Sequence, residues 1–324
     1  MLYNAEFALQ RINGELLLLE LGDNPRELYE PLRYILGLGG KRLRPMLTLL
    51  ACSMFDENFT KALKPALAIE VFHNFSLIHD DIMDQALVRR GKPTVHQKWD
   101  IPTAILSGDV ALVEAYKLML QVEDNLKMKA FNLFSQVAKE VCEGQQIDML
   151  FEKKETVSVA EYMEMIRLKT AVLLGFSLQI GALVGGATDV DAEKLKSFGQ
   201  NIGLAFQIKD DYLDSFGDGP KVGKSIGGDI RVNKKTFLFT KSLEIGDKEA
   251  SQRLLELYSK EDNSEQKVNE VLEIYKHLNI EEECEKEIFN LYNQSISNLV
   301  GINSEMYKTA RLRRFADELM ERVY

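Results

Sequence analysis

Two short acidic motifs, far apart in the sequence, have a spacing suited to holding a metal ion. The first is DDIMD at residues 80–84, and the second is DDYLD at residues 210–214. In an α-helix, residues four apart lie on one face, about 6 Å apart along the axis. Carboxylates crowded on one face repel one another unless a cation compensates. Both motifs therefore predict cation sites built from paired aspartates.

Magnesium is the cation that these motifs favour. Mg²⁺ prefers oxygen and usually binds one or two carboxylates together with waters and substrate phosphates. Two facing acidic helices would let several Mg²⁺ ions bridge them through one diphosphate. A single DDxxD could also be a solvated acidic face or a helix N-cap. The apolar residues before both copies, HNFSLIH and GLAFQIK, argue against an exposed face.

Basic residues lie close in sequence to both motifs, in loop-like segments. These segments are GLGGKRLRP at 37–45, RRGKPT at 89–94 and GDGPKVGKSIGGDIRVNKKT at 217–236. Arginine forks phosphate oxygens, lysine adds a point charge, and glycine lets a backbone approach a ligand. The candidate cations are Lys41, Arg44, Arg89, Arg90, Lys169, Lys224 and Lys234, with Lys235 as an alternative to Lys234. Each alone could be a surface charge, but together they predict a polyanion site.

Three polar side chains are further candidates. His73 lies seven residues before Asp80, two helical turns away, and could donate to a diphosphate. Gln207 lies one turn before Asp211, and Thr170 follows Lys169. His79, with apolar residues before it, is expected to make a structural hydrogen bond.

Helical periodicity dominates the chain. Residues 63–86 have an apolar stripe at helical spacing, and residues 123–155, 161–184, 191–216 and 249–300 continue the pattern. No alternating strand pattern of useful length occurs. Only seven prolines and no flexible linker interrupt the 324 residues. We therefore predict an all-α protein with one domain over residues 1–324.

Composition excludes several classes of protein. A net charge of −10 argues against a nucleic-acid binder. Three scattered cysteines without a CxxC pair predict reduced thiols in a cytoplasmic protein. The N-terminus lacks the basic and apolar regions of a signal peptide. Residues 170–188 are uncharged and long enough to span a bilayer, but their serine, glutamine and four glycines favour a buried core helix and no transmembrane segment.

The ordered set of motifs resembles that of the trans-polyprenyl diphosphate synthases, which include farnesyl and geranylgeranyl diphosphate synthases. The resemblance lies in GGKRLRP, HDDIMD with RRGKPT, Lys169–Thr170, FQIKDDYLD, and GKSIGGDI with NKKT. It spans about residues 35–240. It implies a single-domain isoprenoid-synthase-type helical bundle around a deep central cavity. It also implies a homodimer that uses Mg²⁺, with three ions per active site.

The resemblance also implies roles for individual residues. Lys41, Arg44, His73 and Arg90 would hold isopentenyl diphosphate. Arg89, Lys169, Thr170, Gln207, Lys224 and Lys234 would hold the allylic diphosphate. Asp80, Asp84 and Asp210 would bind Mg²⁺, supported by Asp81 and Asp214. The residues expected to take part in catalysis are Asp80, Asp81, Asp84, Arg89, Lys169 and Lys224.

Product length should depend on residues below the first motif. Phe75 lies five residues before Asp80, about 7.5 Å along a helix, and could form the floor of the chain cavity, with Ser76 leaving space beside it. In the family that the motifs resemble, long-chain enzymes tend to have a small residue where Phe75 stands. We therefore predict a short-chain enzyme that extends C5–C15 allylic diphosphates to a C20 or C15 product, with C20 favoured.

Other interpretations remain open to test. A longer-chain polyprenyl diphosphate synthase is the nearest alternative. A terpene cyclase also uses DDxxD but normally has a different second metal motif and no second diphosphate site. A non-catalytic regulatory subunit would be expected to lose its acidic motifs. A P-loop is disfavoured because five residues, not four, separate Gly217 from Gly223.

Overall fold

The structure is a computed structural model that describes residues 5–217, 226–260 and 262–321. Helices dominate these ranges. Their only strands are Val88–Arg89 and Lys92–Pro93, which form a two-stranded antiparallel hairpin. The prediction of an all-α protein is confirmed. Lys224 lies outside the described residues.

The chain divides into two compact units. The first comprises Met1–Val137, Phe176–Lys196 and Ile302–Lys308, and the second comprises Ala138–Gly175, Ser197–Gly301 and Thr309–Tyr324. The first unit contains the helices Ala5–Leu17, Arg26–Gly37, Leu43–Phe55, Leu63–Met83, Val95–Lys98 and Ile101–Met119, and the 3₁₀ turn Phe59–Ala62. The second contains the helices Val159–Ile166, Gly228–Arg231, Phe237–Ile245, Lys248–Tyr258, Glu265–His277 and Ile280–Ser297, and the π-helical turn Arg167–Ala171. The helices Asp124–Glu152, Val172–Val184, Asp189–Phe216 and Met306–Met320 include residues of both.

The helix that carries the first DDxxD, Leu63–Met83, packs mainly against Ile101–Met119 within the first unit. Small side chains on the latter, including Ser107 and Gly108, are buried and let the two helices approach closely. A Cβ at Gly108 would overlap the His79 imidazole. His79 Nε2 lies 3.1 Å from the Ile105 carbonyl oxygen, so the expected structural hydrogen bond of His79 is present.

Side-chain caps set the start of the helices that flank the second motif. Ser158 and Glu161 form a reciprocal capping box at the start of Val159–Ile166. The Thr236 hydroxyl accepts from the Phe239 amide and begins Phe237–Ile245. Because each cap fixes where its helix begins, these caps determine the position of Tyr162 and of the lysines that precede Thr236.

One helical stretch of the described residues, Val159–Val184, is long and apolar enough to cross a membrane. Of its most apolar window, 83% is buried within the protein, as expected of a core helix. Gln179 donates to Glu193 at 3.0 Å. Gly181 lies against the Thr48 backbone, where a Cβ would not fit. The polar and glycine residues of this helix therefore serve internal packing.

Candidate active site

A buried ion pair fixes the first basic loop, which connects Arg26–Gly37 to Leu43–Phe55. Arg42, 4% exposed, has a left-handed backbone with φ 49°. Its guanidinium forms an ion pair with buried Glu70 and donates to Leu36 O at 2.6 Å and to Asn13 Oδ1 at 3.1 Å. Arg42 has no predicted ligand role, but it anchors the loop between Lys41 and Arg44.

Arg44 and His73 lie together in the first unit. Arg44 Nη1 is 3.4 Å from His73 Nε2. Burial lowers the pKa of His73 well below its ordinary value, and Arg44 and Arg90 lower it further. Burial also lowers the pKa of Arg44, opposed by Glu70. Arg44 Nε is buried without a hydrogen-bond partner among the described residues, and an unsatisfied buried donor of this kind fits an anionic ligand.

Arg90 reaches the first basic loop from the strand hairpin. It has φ 53°, and its guanidinium donates to Gly39 O. A Cβ at Gly40 would lie 2.9 Å from Arg90 Cζ, so glycine leaves the space that the guanidinium occupies. The structure therefore brings Arg90 to the loop that contains Lys41, beside the pair of Arg44 and His73.

The first DDxxD lies at the C-terminal end of Leu63–Met83, where the helix dipole favours cations. Asp81 is 1% exposed, and Arg89 holds its carboxylate through Nε and Nη2 at 2.7–2.9 Å. Asp80 Oδ2 is 3.8 Å from Arg89 Nη2. Asp84 is exposed, and its amide bonds to Asp80 O at 2.8 Å. The middle carboxylate is thus used inside the protein, while Asp80 and Asp84 remain accessible.

Phe75 is the first ring of an aromatic cluster on the N-terminal side of this motif. Its ring centroid is 5.4 Å from that of Phe72 and 4.8 Å from that of His79. Phe72 also contacts Phe134, with centroids 5.3 Å apart, and Phe134 stacks on Phe176. The Ser76 hydroxyl donates to His73 O at 2.8 Å. Phe75 is therefore backed by further rings, and Ser76 adds little bulk beside it.

In the second unit, Lys169 and Thr170 lie in the π-helical turn Arg167–Ala171. Such turns are rare and often occur at functional sites. Lys169 Nζ donates to Asp148 Oδ2 at 2.6 Å, and Thr170 Oγ1 donates to Gln207 Oε1 at 3.3 Å. A Cβ at Gly144 would overlap the Lys169 backbone. Only glycine at position 144 allows the helix that carries Asp148 to approach the Lys169 backbone this closely.

The second DDxxD also buries its middle carboxylate. Asp211 accepts from Tyr162 Oη at 2.5 Å, from the Phe237 amide at 3.0 Å and from Gln207 Nε2 at 3.4 Å. Burial raises the pKa of Asp211 to about 7, opposed by Lys234. Asp210 and Asp214 are half-buried. Within this motif, the outer carboxylates are again more accessible than the middle one.

Asp214 joins the second motif to the loop that follows it. Its Oδ2 accepts from the Asp229 amide at 2.9 Å, and its carbonyl oxygen accepts from the Gly227 amide at 2.7 Å. The Cβ of any larger residue at Gly228 would lie 2.9 Å from Asp214 Oδ1. The short turn before Gly228–Arg231 is therefore fixed by the motif itself.

The two adjacent lysines differ in accessibility. The Lys234 side chain is 43% exposed, and its Nζ is 3.5 Å from Asp229 Oδ1. Lys235 is buried; its Nζ donates to Asn233 O at 3.1 Å and lies over the Phe239 and Tyr258 rings. Burial would lower the pKa of Lys234, but Asp229 and Asp211 raise it above its ordinary value. The geometry favours Lys234 over Lys235 as the residue that meets a ligand.

Several side chains that hold the candidate site residues in place were not predicted from the sequence. Arg42, Glu70, Asp148, Tyr162 and Asp229 each hold a predicted residue or its loop. Arg42 and Asp229 lie inside GGKRLRP and GGDI and could have been noticed. No pattern marks Tyr162 or Asp148, because their partners are 49 and 21 residues away.

The donor chemistry of both motifs fits Mg²⁺ bound to a diphosphate. Among the described ranges, no three His, Cys, Asp or Glu side chains converge into a preformed metal cage. Mg²⁺ does not need one, because it commonly takes one or two carboxylates and completes its shell with waters and phosphate oxygens. Asp80 with Asp84, and Asp210 with Asp214, offer such hard oxygen donors.

Comparison with known proteins defines the class of protein. The Polyprenyl synthetase family model matches residues 25–275. A short chain isoprenyl diphosphate synthase of Methanocaldococcus jannaschii is 40% identical over 269 residues, 83% of this chain and 81% of its own. A geranylgeranyl pyrophosphate synthase of Geoglobus acetivorans is 44% identical over 225 residues, 68% and 70% of the two chains. A geranylfarnesyl diphosphate synthase of Natronomonas pharaonis is 40% identical over 232 residues, 66% and 68%.

Solved structures agree with the sequence comparison. A geranylgeranyl pyrophosphate synthase superposes with a TM-score of 0.93 at 40% identity over the whole of both chains. The enzyme of Corynebacterium glutamicum, complexed with isoprenyl diphosphate and magnesium, gives 0.83 at 28% identity over 98% of this chain and 97% of that one. The chain belongs to the polyprenyl synthetase family. It is a prenyltransferase with the all-α fold of that family, as the sequence motifs predicted.

Proposed function

We propose that this chain is a Mg²⁺-dependent short-chain synthase that condenses isopentenyl diphosphate head-to-tail with a C5–C15 allylic diphosphate. The observation that carries the proposal is shared by both DDxxD motifs. Each buries its middle aspartate against internal partners, and its outer aspartates are more exposed than the middle one. Purely structural acidic residues would have no need for this division.

Isopentenyl diphosphate is assigned to three cations and one neutral donor of the first unit, which are Lys41, Arg44 and Arg90 with His73. Burial and the surrounding arginines lower the pKa of His73, so His73 is neutral near pH 7 and can donate through one ring nitrogen. Arg44 supplies its Nε donor, which has no partner among the residues that the structure describes. These residues would hold the diphosphate and leave its alkene free to react.

The allylic diphosphate is assigned to Arg89, Lys169, Thr170, Gln207, Lys224 and Lys234. Asp80, Asp84 and Asp210 would hold Mg²⁺, with Asp81 and Asp214 supporting; in the family the cluster contains three ions. Bound Mg²⁺ would neutralise negative charge that develops on the leaving diphosphate. Arg89 and Lys169 add positive charge to the same leaving group. The double bond of isopentenyl diphosphate then attacks the allylic carbocation at van der Waals distance. The adduct loses a proton to the released diphosphate, which forms the new double bond.

We propose a C20 product. The cluster in which Phe75 packs against Phe72, and Phe72 against Phe134, supports the assignment of Phe75 as a floor for the prenyl chain. Relatives of similar identity make geranylgeranyl and geranylfarnesyl chains by name. C15 and longer products are therefore the outcomes to distinguish.

A product profile tests this function. The purified chain is incubated with isopentenyl diphosphate and a C5, C10 or C15 allylic primer, with and without EDTA. We expect Mg²⁺-dependent conversion of all three primers to geranylgeranyl diphosphate. If none of the three primers is condensed, the proposed synthase activity is refuted and a non-catalytic regulatory subunit is favoured. Hydrocarbon release from an allylic diphosphate alone would indicate a cyclase instead.

We also propose a homodimer. Four apolar side chains of Ile101–Met119 are exposed, namely Ile101, Ile105, Leu106 and Val113, and clustered exposed apolar residues often mark protein interfaces. Light scattering should give twice the chain mass. Leu106→Glu should shift the mass towards the monomer, while Val190→Glu, at an exposed valine of another helix, should not. A monomeric parent protein would contradict this proposal.

Two organisational predictions stay with the proposed function. The family match extends over residues of both units, which supports one synthase domain over residues 1–324. A cytoplasmic location remains a prediction from the cysteine usage. Fractionation of cells that express the tagged chain would test the location directly.

A further inference from the structure

Lys267 occupies a position that is unfavourable for a lysine in two respects, the helix dipole and burial. It lies in the first turn of Glu265–His277, where the helix dipole disfavours a cation. The residue is only 1% exposed, although burial of an ammonium group is costly unless hydrogen bonds compensate. Burial lowers the pKa of Lys267, opposed by Asp262. Residues that contradict local preferences in this way are commonly retained for function.

Lys267 holds the side chain of Asn233. Lys267 Nζ donates to Asn233 Oδ1 at 2.5 Å. Asn233 Nδ2 donates to Lys260 O at 3.0 Å, and its carbonyl oxygen accepts from Lys235 Nζ at 3.1 Å. The side-chain oxygen, the side-chain nitrogen and the backbone carbonyl of Asn233 therefore all form hydrogen bonds with residues of the second unit.

Asn233 needs this support because its backbone is left-handed, with φ 57°. That conformation is costly for residues other than glycine, although asparagine tolerates it better than most. Lys234 follows directly. Its amide donates to Asp229 O at 3.0 Å, and its Nζ lies 3.5 Å from Asp229 Oδ1. The conformation of Asn233 therefore determines the direction in which the Lys234 side chain leaves the turn.

A second attachment ties the same turn to the same neighbouring segment. Arg231 donates to Asn263 O at 3.0 Å and to Glu265 Oε2 at 2.5 Å. With the bonds from Asn233 to Lys260 and Lys267, the turn 231–234 is attached at both ends to the neighbouring segment. Lys267 is the buried member of this attachment.

We propose that Lys267 is a positioning residue for the allylic diphosphate, acting through Asn233 to hold Lys234 in its binding orientation. This inference rests on the proposed role of Lys234. Lys267 itself is buried and touches no ligand. Loss of its ammonium group should let the turn relax, and Lys234 would then meet the diphosphate less often in the correct geometry.

The first test is Lys267→Met, which keeps the length of the side chain and removes its charge. The variant leaves Asn233 Oδ1 without its donor, which should lower the free energy of unfolding by about 1–3 kcal/mol. The kinetics are therefore measured well below the Tm, after circular dichroism has shown an intact helical fold. We expect the KM for the allylic diphosphate to rise about tenfold, since misplacement by ~1 Å can cost up to ~10²-fold. The KM for isopentenyl diphosphate and kcat should change less than about twofold. Lys276→Met, at an exposed lysine of the same helix, is the matched control and should behave as the parent.

The second test uses glycine at the turn. Asn233→Gly keeps φ near 57° accessible but removes the side chain that Lys267 and Lys260 hold, so the allylic KM should rise about as much as in Lys267→Met. In that background Lys267→Met should have almost no further effect, because the group through which it acts is gone. An undiminished tenfold effect in the double variant would show that Lys267 acts by another route and would overturn the inference.

Lys234→Met separates this inference from the function on which it rests. If Lys234→Met leaves the allylic KM unchanged, the assignment of Lys234 to the diphosphate is wrong. If Lys234→Met raises that KM and Lys267→Met does not, only the positioning role is wrong. A selective rise in both variants supports both statements.

Discussion

The two DDxxD motifs contain the same aspartates at the same spacing, yet the protein holds their middle residues by different chemistry. Asp81 is neutralised by a charged group, the Arg89 guanidinium, at 2.7–2.9 Å. Asp211 is held by uncharged donors: the Tyr162 hydroxyl, the Phe237 amide and Gln207. Burial therefore raises the pKa of Asp211 to about 7. The same DDxxD pattern thus forms an ion pair in one unit and a network of hydrogen bonds from neutral donors in the other.

The difference has a consequence for the neighbouring cations. Arg89 is expected to serve both Asp81 and the allylic diphosphate, so the first motif couples its own stability to ligand binding. In the second unit, Lys169 pairs with Asp148 and Lys234 lies near Asp229, outside the DDxxD motif. The cations there are positioned by carboxylates that are not themselves expected to bind metal.

The largest expected effects come from the feature that the two motifs share, their accessible outer carboxylates. Asp80→Ala and Asp210→Ala should each lower kcat by about 10³-fold, because each removes a predicted Mg²⁺ ligand and with it charge compensation for the leaving diphosphate. Steady-state kinetics over a Mg²⁺ titration measure the loss. Near-normal Mg²⁺-dependent turnover in either variant would contradict the metal assignment, provided that circular dichroism shows an intact helical fold.

The middle carboxylates should separate the motifs. Asp81→Asn leaves the partly buried Arg89 with only the more distant Asp80, 3.8 Å away, and should lower the free energy of unfolding by about 2–3 kcal/mol, less than for a fully buried pair. Asp211→Asn keeps an acceptor for Tyr162 and Phe237 and should cost only about 1 kcal/mol. Urea denaturation at pH 7 compares the two directly. Equal losses of unfolding free energy would show that the charged partner of Asp81 and the neutral partners of Asp211 contribute equally to stability.

The smallest expected effect concerns product length, which we expect to depend on the aromatic cluster near the first motif and not on the second motif. Phe75→Ala should lengthen the product by at least one C5 unit, because the prenyl chain can occupy the space that the ring leaves. Ser76→Phe should shorten the product, since it adds a ring beside the same space. Mass spectrometry of the prenyl diphosphates provides the measurement. An unchanged product in both variants would refute the floor.

Much of the candidate site was predictable because its residues lie close together in sequence. The DDxxD spacing places Asp80 near Asp84 by helix geometry alone, and the basic loops next to the motifs follow from glycine and arginine content. Burial of individual aspartates was not predictable. Nothing in DDIMD and DDYLD shows that the middle residue is the one turned inwards in both motifs.

The sequence alone determined the all-α class, the two acidic motifs, the set of cations and the family to which the chain belongs, because these depend on residue type and local spacing. Only the tertiary structure decided which partner each residue meets. Tyr162 contacts Asp211 across 49 positions, and Lys267 contacts Asn233 across 34. Such pairs form when separate helices pack, and their energies depend on burial and donor geometry, which no local pattern records. The division between Asp81 with its guanidinium and Asp211 with its neutral donors is therefore a property of the fold.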